Sequence, residues 1–90
     1  MPKFAAKVDA NQPEIVRDLR RVGAFVFPTH TLGRGFPDLV VVYHGTVYLL
    51  EVKIPGGTLT PDEQKFYEDS QGAPYIVRSS EDALRVIGAI

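Results

Sequence analysis

The chain has 90 residues, of which 44% are hydrophobic, and a formal net charge of −1 at pH 7. This length predicts one small domain over residues 1–90, and the absence of cysteine excludes disulfides and thiolate metal sites. The near-neutral charge argues against bulk electrostatic attraction to nucleic acid, and no apolar run approaches the roughly 20 residues of a membrane span. We therefore expect a cytoplasmic protein with no membrane partner.

The N-terminal part of the chain predicts an arm and then a helix. Residues 1–10 carry the least pattern, and we expect them to form a loose arm or a dimer contact. From about Gln12 to Val22, apolar residues recur at helical spacing. Asn11 is a candidate N-cap and Gly23 supplies the stop.

Three strands are expected after this helix. Runs of β-branched, aromatic and apolar residues predict strands over residues 24–27, about 37–43 and about 46–54. Pro28 ends the first strand, and His44-Gly45 forms a short turn between the second and third. Both faces of the resulting hairpin are apolar, which is typical of a strand pair that is covered on both sides.

The C-terminal part predicts a helix, a strand and a helix. Residues 60–63 form a capping box with proline at the first helical position, so a helix is expected from there to near Gly72. A strand over residues 75–77 follows, and Ser79 or Ser80 caps the last helix. The inner face of that helix would carry Leu84, Ile87 and Ile90. The expected order is αβββαβα.

The hairpin register places two acids opposite each other. With the turn centred on His44-Gly45, Asp38 faces Glu51, and opposed side chains have Cβ atoms roughly 5 Å apart, where like charges are destabilising. Lys53 lies two residues beyond Glu51, so its side chain leaves the same face. A divalent metal ion would neutralise the two acids directly. The alternative is a pair of strand-end acids that face solvent.

Four segments of the chain together resemble a known family. They are residues 35–40 (GFPDLV), 49–53 (LLEVK), 57–64 (GTLTPDEQ) and 72–77 (GAPYIV). They resemble the G-x-P-D, E-V-K, G-x-L-[S/T]-x-x-Q and late-strand segments of the VRR-NUC family (virus-type replication-repair nucleases) of the PD-(D/E)XK superfamily. The resemblance covers the chain from Asn11 onward. It implies an α/β, restriction-endonuclease-like core with a mixed four-stranded sheet flanked by helices.

The resemblance implies a DNA endonuclease that depends on Mg²⁺ or Mn²⁺. Asp38 and Glu51 would hold the ion, with the backbone carbonyl of Val52 as a further ligand. Lys53 would orient or deprotonate the attacking water, or stabilise developing negative charge; the alternative is an edge lysine that opposes aggregation. Gln64 would bind a phosphate or a metal-bound water, against the alternative of simple solvent exposure.

Several further polar residues have two competing interpretations. Glu14 would reach the metal site as first-helix acids do in related nucleases, but Asn11 and Glu14 also fit a capping box. Arg17 and Arg21, one turn apart on the first helix, and Arg34, in the glycine loop before the aspartate, would bind DNA phosphates. The alternative for the helix arginines is a solvated surface.

The stand-alone members of the family imply the partners. They resemble Holliday-junction resolvases in size and use and typically work as homodimers, so the resemblance implies a homodimer that cleaves branched DNA in the cytoplasm of a bacterial or phage-infected cell. The alternatives are a nuclease that acts on flaps or linear duplexes, and a non-catalytic DNA or protein interaction module with the nuclease fold.

Overall fold

Three helices and four strands follow the predicted order in the computed structural model, which describes residues 8–90. The elements are α1 (Gln12–Arg21), β1 (Phe25–Pro28), β2 (Leu39–Tyr43), β3 (Thr46–Val52), α2 (Pro61–Asp69), β4 (Tyr75–Val77) and α3 (Ser80–Val86). Most of the expected N-terminal arm, residues 1–7, lies outside the described residues. Within residues 8–90, no helix has the length and apolar character needed to cross a membrane.

The strands form one mixed sheet in the order β1-β2-β3-β4. β1 and β3 both pair antiparallel with β2, whereas β3 and β4 are parallel. The α/β class with a mixed four-stranded sheet and flanking helices is therefore confirmed. Pro28 is paired inside β1, and an edge strand tolerates proline because one side of its backbone has no strand partner.

The turn between β2 and β3 sets the register of the hairpin. His44 and Gly45 have φ angles of 50° and 80°, and positive φ at both central residues is the mark of a two-residue type I′ turn. Tyr43 pairs with Thr46, and Leu39 pairs with Leu50. The predicted register is confirmed. Its continuation beyond the ladder places residues 38 and 51 opposite each other.

The core lies on one face of the sheet. Helices α1 and α3 pack against each other and against this face. The shared core includes Ile15 and Leu19 of α1, Leu39 and Val41 of β2, Leu50 and Val52 of β3, and Ala83. Ile87 is buried as predicted, but Ile90 is 64% exposed. The prediction that Ile90 lies on the inner helix face is wrong. Helix α3 ends at Val86, and the chain then changes direction at Gly88, which has a φ of 80°.

The second face of the sheet is covered only in part by the described residues. Phe25 and Phe27 are each 59% exposed and Val47 is 61% exposed. The prediction that the hairpin is covered on both sides is therefore wrong at its turn end. The reason is that α1 and α3 share the first face, while α2 contains no fully buried residue and lies near the other end of the hairpin.

Candidate metal centre

The glycine loop before β2 is fixed against the start of α2. Gly35 has a φ of 76°, and a Cβ atom there would overlap the backbone carbonyl of Asp62. The ring of Phe36 meets that of Phe66 edge to face, with 5.3 Å between centroids. Only glycine combines this backbone conformation with so close an approach. The G-F-P-D segment thus joins the loop to α2 immediately before the aspartate.

Asp38 is held by its backbone and by its side chain. The Thr29 amide donates to the carbonyl of Asp38 at 2.7 Å, and the Thr29 hydroxyl donates to the carbonyl of the buried Pro37, also at 2.7 Å. Asp38 Oδ2 accepts the Val52 amide at 2.8 Å. Since the N–H and C=O of one strand residue point to the same neighbour, the carbonyl of Val52 is directed toward β2 as well. The structure therefore brings Asp38 and Val52 together through the Val52 amide, and the role of the Val52 carbonyl as a ligand stays a prediction.

Glu51 is the most buried acid at this end of the sheet. It is 3% exposed, and its Oε2 atom is buried with no hydrogen-bond partner among the described residues. Burial, together with the hydrogen bond and charge of Asp38, raises the pKa of Glu51 to about 10. Burial also raises the pKa of Asp38, although the hydrogen bonds from Glu51 and the Val52 amide oppose this. Two carboxyls this close, one buried and one partly buried, favour either a shared proton or a bound cation.

Lys53 extends the cluster with a positive charge. Its Nζ lies 3.7 Å from Glu51 Oε2 and 2.6 Å from Glu63 Oε1. Burial by itself would lower the pKa of Lys53, but the hydrogen bond and charge of Glu63 outweigh it and raise the pKa. In Glu63, hydrogen bonds from Lys53 and Thr60 outweigh the opposite effect of burial and lower the pKa. At neutral pH this pair is an ammonium and a carboxylate.

Glu63 is a member of the cluster that the sequence analysis missed. The capping box was recognised, and it is present in the structure, but no role beyond the helix start was assigned to its acid. A signal was available in the motif spacing. Counted from Gly57, the pattern G-x-L-[S/T]-x-x-Q ends on residue 63, where this chain has glutamate, and not on Gln64.

Two predicted site residues lie on the outer surface of α2 and of the glycine loop. Gln64 Nε2 donates to Glu68 Oε2 at 2.8 Å, and among the described residues no hydrogen bond joins Gln64 to Asp38 or Glu51. Arg34 is exposed and lines a groove of about 480 Å³ with Lys65 and other residues of α2. The structure does not bring Gln64 to the acidic cluster, whereas Arg34 remains available for contact with a ligand that enters beside α2.

The predicted capping box of α1 is not formed. Asn11 Nδ2 instead donates to the carbonyls of Lys53, at 3.1 Å, and Arg78, at 3.0 Å. Asn11 occupies the N-cap position of α1, as predicted, but its Oδ1 accepts no hydrogen bond from the helix. The backbone of Asn11 is itself helical, with φ −85° and ψ −5°, and its Nδ2 is held by the two strand-end carbonyls, so the capping-box interpretation is wrong. Glu14 is exposed in the first turn of α1. Among residues 8–90 it does not join other acids or histidines in a group of three that could hold a metal ion.

The helix arginines line a groove along α1. Arg17 Nε lies 2.9 Å and Arg21 Nη1 lies 3.8 Å from Asp18 Oδ1. Both arginines, together with Arg20, His30 and apolar neighbours, surround about 630 Å³. The Nδ1 atom of His30 is buried with no partner among the described residues. The predicted pair therefore lies on one surface, but part of its charge is already compensated.

The donor set fits a hard divalent cation. No three Asp, Glu, His or Cys side chains in the described part of the chain form a group able to hold an ion. Mg²⁺, however, usually takes one or two carboxylates and completes its shell with water and phosphate oxygens. Asp38, Glu51, whose Oε2 accepts no hydrogen bond from the described residues, and the carbonyl of Val52 meet that requirement. All three are oxygen donors at one end of a rigid sheet.

The comparisons with known proteins found nothing similar. The chain matched no protein-family model, no curated protein and no solved structure. The resemblance to VRR-NUC proteins therefore stays a prediction that depends on the four sequence motifs.

Proposed function

We propose that the chain is a divalent-metal-dependent nuclease that hydrolyses phosphodiester bonds in DNA. The observation that carries this proposal is the buried Glu51 next to the partly buried Asp38, with an ammonium group beside them. A fold gains no stability from two acids this close when one of them is buried, since one must then be kept protonated. Such a pair is typical of a site that is built for a cation.

The two carboxylates and the Val52 carbonyl would hold Mg²⁺ or Mn²⁺. When bound, the ion would lower the pKa of a coordinated water and stabilise negative charge on the phosphate. Glu51 has to release its proton before it can serve as a ligand. The Val52 amide keeps Asp38 oriented toward the end of β3, so one acid is positioned before the ion arrives.

Lys53 acts in this proposal through its charge. Because Glu63 stabilises the ammonium form, Lys53 is a poor general base near neutral pH. Its Nζ, 3.7 Å from Glu51 Oε2, is well placed to attract the phosphate and to stabilise the charge that develops during attack by water.

The DNA would be held by arginines on two surfaces. Arg17 and Arg21 line the groove along α1, and Arg34 lines the groove beside α2. The net charge of −1 supports recognition of DNA shape more than tight sequence readout. A branched substrate such as a four-way junction fits this proposal, and a homodimer would provide two sites for paired cuts. The exposed Phe25, Phe27 and Val47 are the surface on which a second copy would bury apolar area.

The proposal is tested by cleavage of matched four-way junction, flap and linear duplex substrates with Mg²⁺ or Mn²⁺. We expect the wild type to cut the junction fastest. Asp38→Asn and Lys53→Ala should each lower the rate by about 100-fold or more, because they remove an ion ligand and a transition-state charge. Glu81→Gln is the matched control, since Glu81 is an exposed acid that pairs, within residues 8–90, only with Arg85 on α3.

Two results would contradict this proposal in different ways. Faster cleavage of flaps than of junctions would retain the nuclease and change its substrate. No cleavage of any substrate, together with no heat of Mn²⁺ binding in calorimetry, would instead favour a non-catalytic interaction module.

A further inference from the structure

The ammonium group of Lys53 lies between two carboxylates that come from different elements. Glu51 belongs to β3, and Glu63 belongs to the first turn of α2. Nζ is 2.6 Å from Glu63 Oε1 but 3.7 Å from Glu51 Oε2, so the shorter contact is with the helix. The side chain of Lys53 is 13% exposed. The closest partner of the site lysine is therefore an acid outside the pair that would hold the ion.

The same oxygen of Glu63 makes two contacts. Oε1 accepts the Thr60 amide at 2.9 Å, which closes the capping box, and it also contacts Lys53 Nζ. The start of α2 is fixed in turn by Phe66, which packs on Phe36, and by the close approach of Gly35. The contacts of its own helix thus hold the Glu63 carboxylate in place independently of the lysine, so this carboxylate is an anchored partner for the Lys53 ammonium group.

A lysine side chain needs an anchored partner of this kind to keep its ammonium group in one position. Its ammonium is a compact charge on a flexible four-carbon stem, and it adopts many rotamers unless a partner selects one. The other carboxylates whose charge acts on Lys53 or is acted on by it are those of Asp38, Glu51 and Asp9, and the first two belong to the proposed ion site. A lysine paired closely with them would compete with a divalent cation for the same oxygens.

We infer that Glu63 is a positioning residue, which holds the Lys53 ammonium beside the acidic pair but out of the ion's coordination positions. The effect of Glu63 on catalysis rests on the proposed function, whereas its effect on the position of the Lys53 ammonium rests on geometry alone. Glu63 does not contact the reacting atoms. Its effect is transmitted through Lys53.

The test uses Glu63→Gln with Asp62→Asn as the matched control. Glutamine also closes a capping box at this position, so the helix start is retained while the charge that holds Lys53 is lost. Asp62→Asn removes one charge from the same helical turn, and Asp62 forms no ion pair with another described residue. We expect Glu63→Gln to lower kcat by about 10- to 100-fold with KM for DNA changed less than about threefold. Asp62→Asn should leave kcat within about twofold. Because Asp62 lines the groove beside α2, the control for KM is Glu81→Gln on α3, which should leave both values within about twofold.

A double-mutant cycle identifies the route of the effect. If Glu63 acts through Lys53, the double variant Lys53→Ala/Glu63→Gln should be no slower than Lys53→Ala alone. Multiplicative losses in the double variant would overturn the inference. Full recovery of kcat in Glu63→Gln at saturating Mn²⁺ would also overturn it, because Glu63 would then act on ion binding.

A second measurement does not depend on activity. Amine acetylation of the metal-free protein, followed by peptide mass spectrometry, compares Lys53 with Lys65, whose side chain is 74% exposed. We expect Glu63→Gln to raise the labelling rate of Lys53 by about threefold or more relative to Lys65, with no change in Asp62→Asn. Unchanged labelling would overturn the positioning role. If no variant or wild type cleaves DNA, the proposed function fails while this measurement still decides the role of Glu63.

Discussion

Replacing Glu51 with glutamine should stabilise the metal-free protein. Glu51 is almost fully buried, and its pKa is raised from 4.5 to about 10. The folded state therefore keeps a proton on this carboxyl at neutral pH, whereas the unfolded chain releases it. Glutamine is neutral at every pH and has nearly the same shape, and its amide can donate to Asp38 as the protonated acid does.

The magnitude follows from proton linkage. Between pH 4.5 and about 10, the folded state binds one more proton than the unfolded state, so the free energy of unfolding falls by about 1.4 kcal/mol per pH unit. At pH 7 the accumulated cost is roughly 3 kcal/mol. Glu51→Gln removes this cost and should raise the midpoint of thermal unfolding by roughly 10 °C or more for a domain of this size.

The assay is urea unfolding of wild type and Glu51→Gln in EDTA between about pH 5 and 9, with Glu81→Gln as the surface control. Wild type and Glu81→Gln should both lose stability as the pH rises, and the profile of Glu51→Gln should be flatter. Added Mg²⁺ should stabilise wild type more than Glu51→Gln, since only a carboxylate at this position is an ionic ligand. A flat wild-type profile, or a Glu51→Gln protein less stable than wild type throughout, would refute the reasoning because it would show that Glu51 is ionised in the fold.

Two further substitutions test the supports of the site. Gly35→Ala should lower the free energy of unfolding in urea by about 2–4 kcal/mol, because it combines left-handed backbone strain with overlap on Asp62. Gly33 has a similar φ but open space around it, so Gly33→Ala should lower the free energy of unfolding by only about 1 kcal/mol. Equal losses in the two variants would contradict the close approach at Gly35. Asn11→Ala should lower the free energy of unfolding by about 2 kcal/mol, since two strand-end carbonyls lose their donor. A loss below about 0.5 kcal/mol, as expected for a surface residue, would show that water replaces the amide.

The hairpin and its two acids could be predicted because their determinants are local. A two-residue turn at His44-Gly45 and continuous β-forming runs allow one register, and that register places Asp38 opposite Glu51. The capping box at the start of α2 was equally local, and the structure contains both of its hydrogen bonds. Patterns of this kind need only the geometry of one strand pair or one helical turn.

The partners of polar side chains could not be predicted in the same way. Asn11 was expected to cap α1, but its amide meets the carbonyls of Lys53 and Arg78, which are 42 and 67 residues away in the chain. The motif spacing marks residue 63 as a site position, but nothing local indicates that Lys53 Nζ lies 2.6 Å from Glu63 Oε1. Two donors or acceptors that compete for one side chain can be ranked only when their positions in space are known.

The sequence by itself determined the order of the elements, the register of the β-hairpin and the pairing of Asp38 with Glu51, since each of these follows from short-range periodicity and turn chemistry. The tertiary structure alone decided which sheet face the helices cover, which acid holds Lys53 and how deeply Glu51 is buried. These properties depend on how separate elements pack, and packing brings together groups whose separation along the chain carries no information about their distance in space.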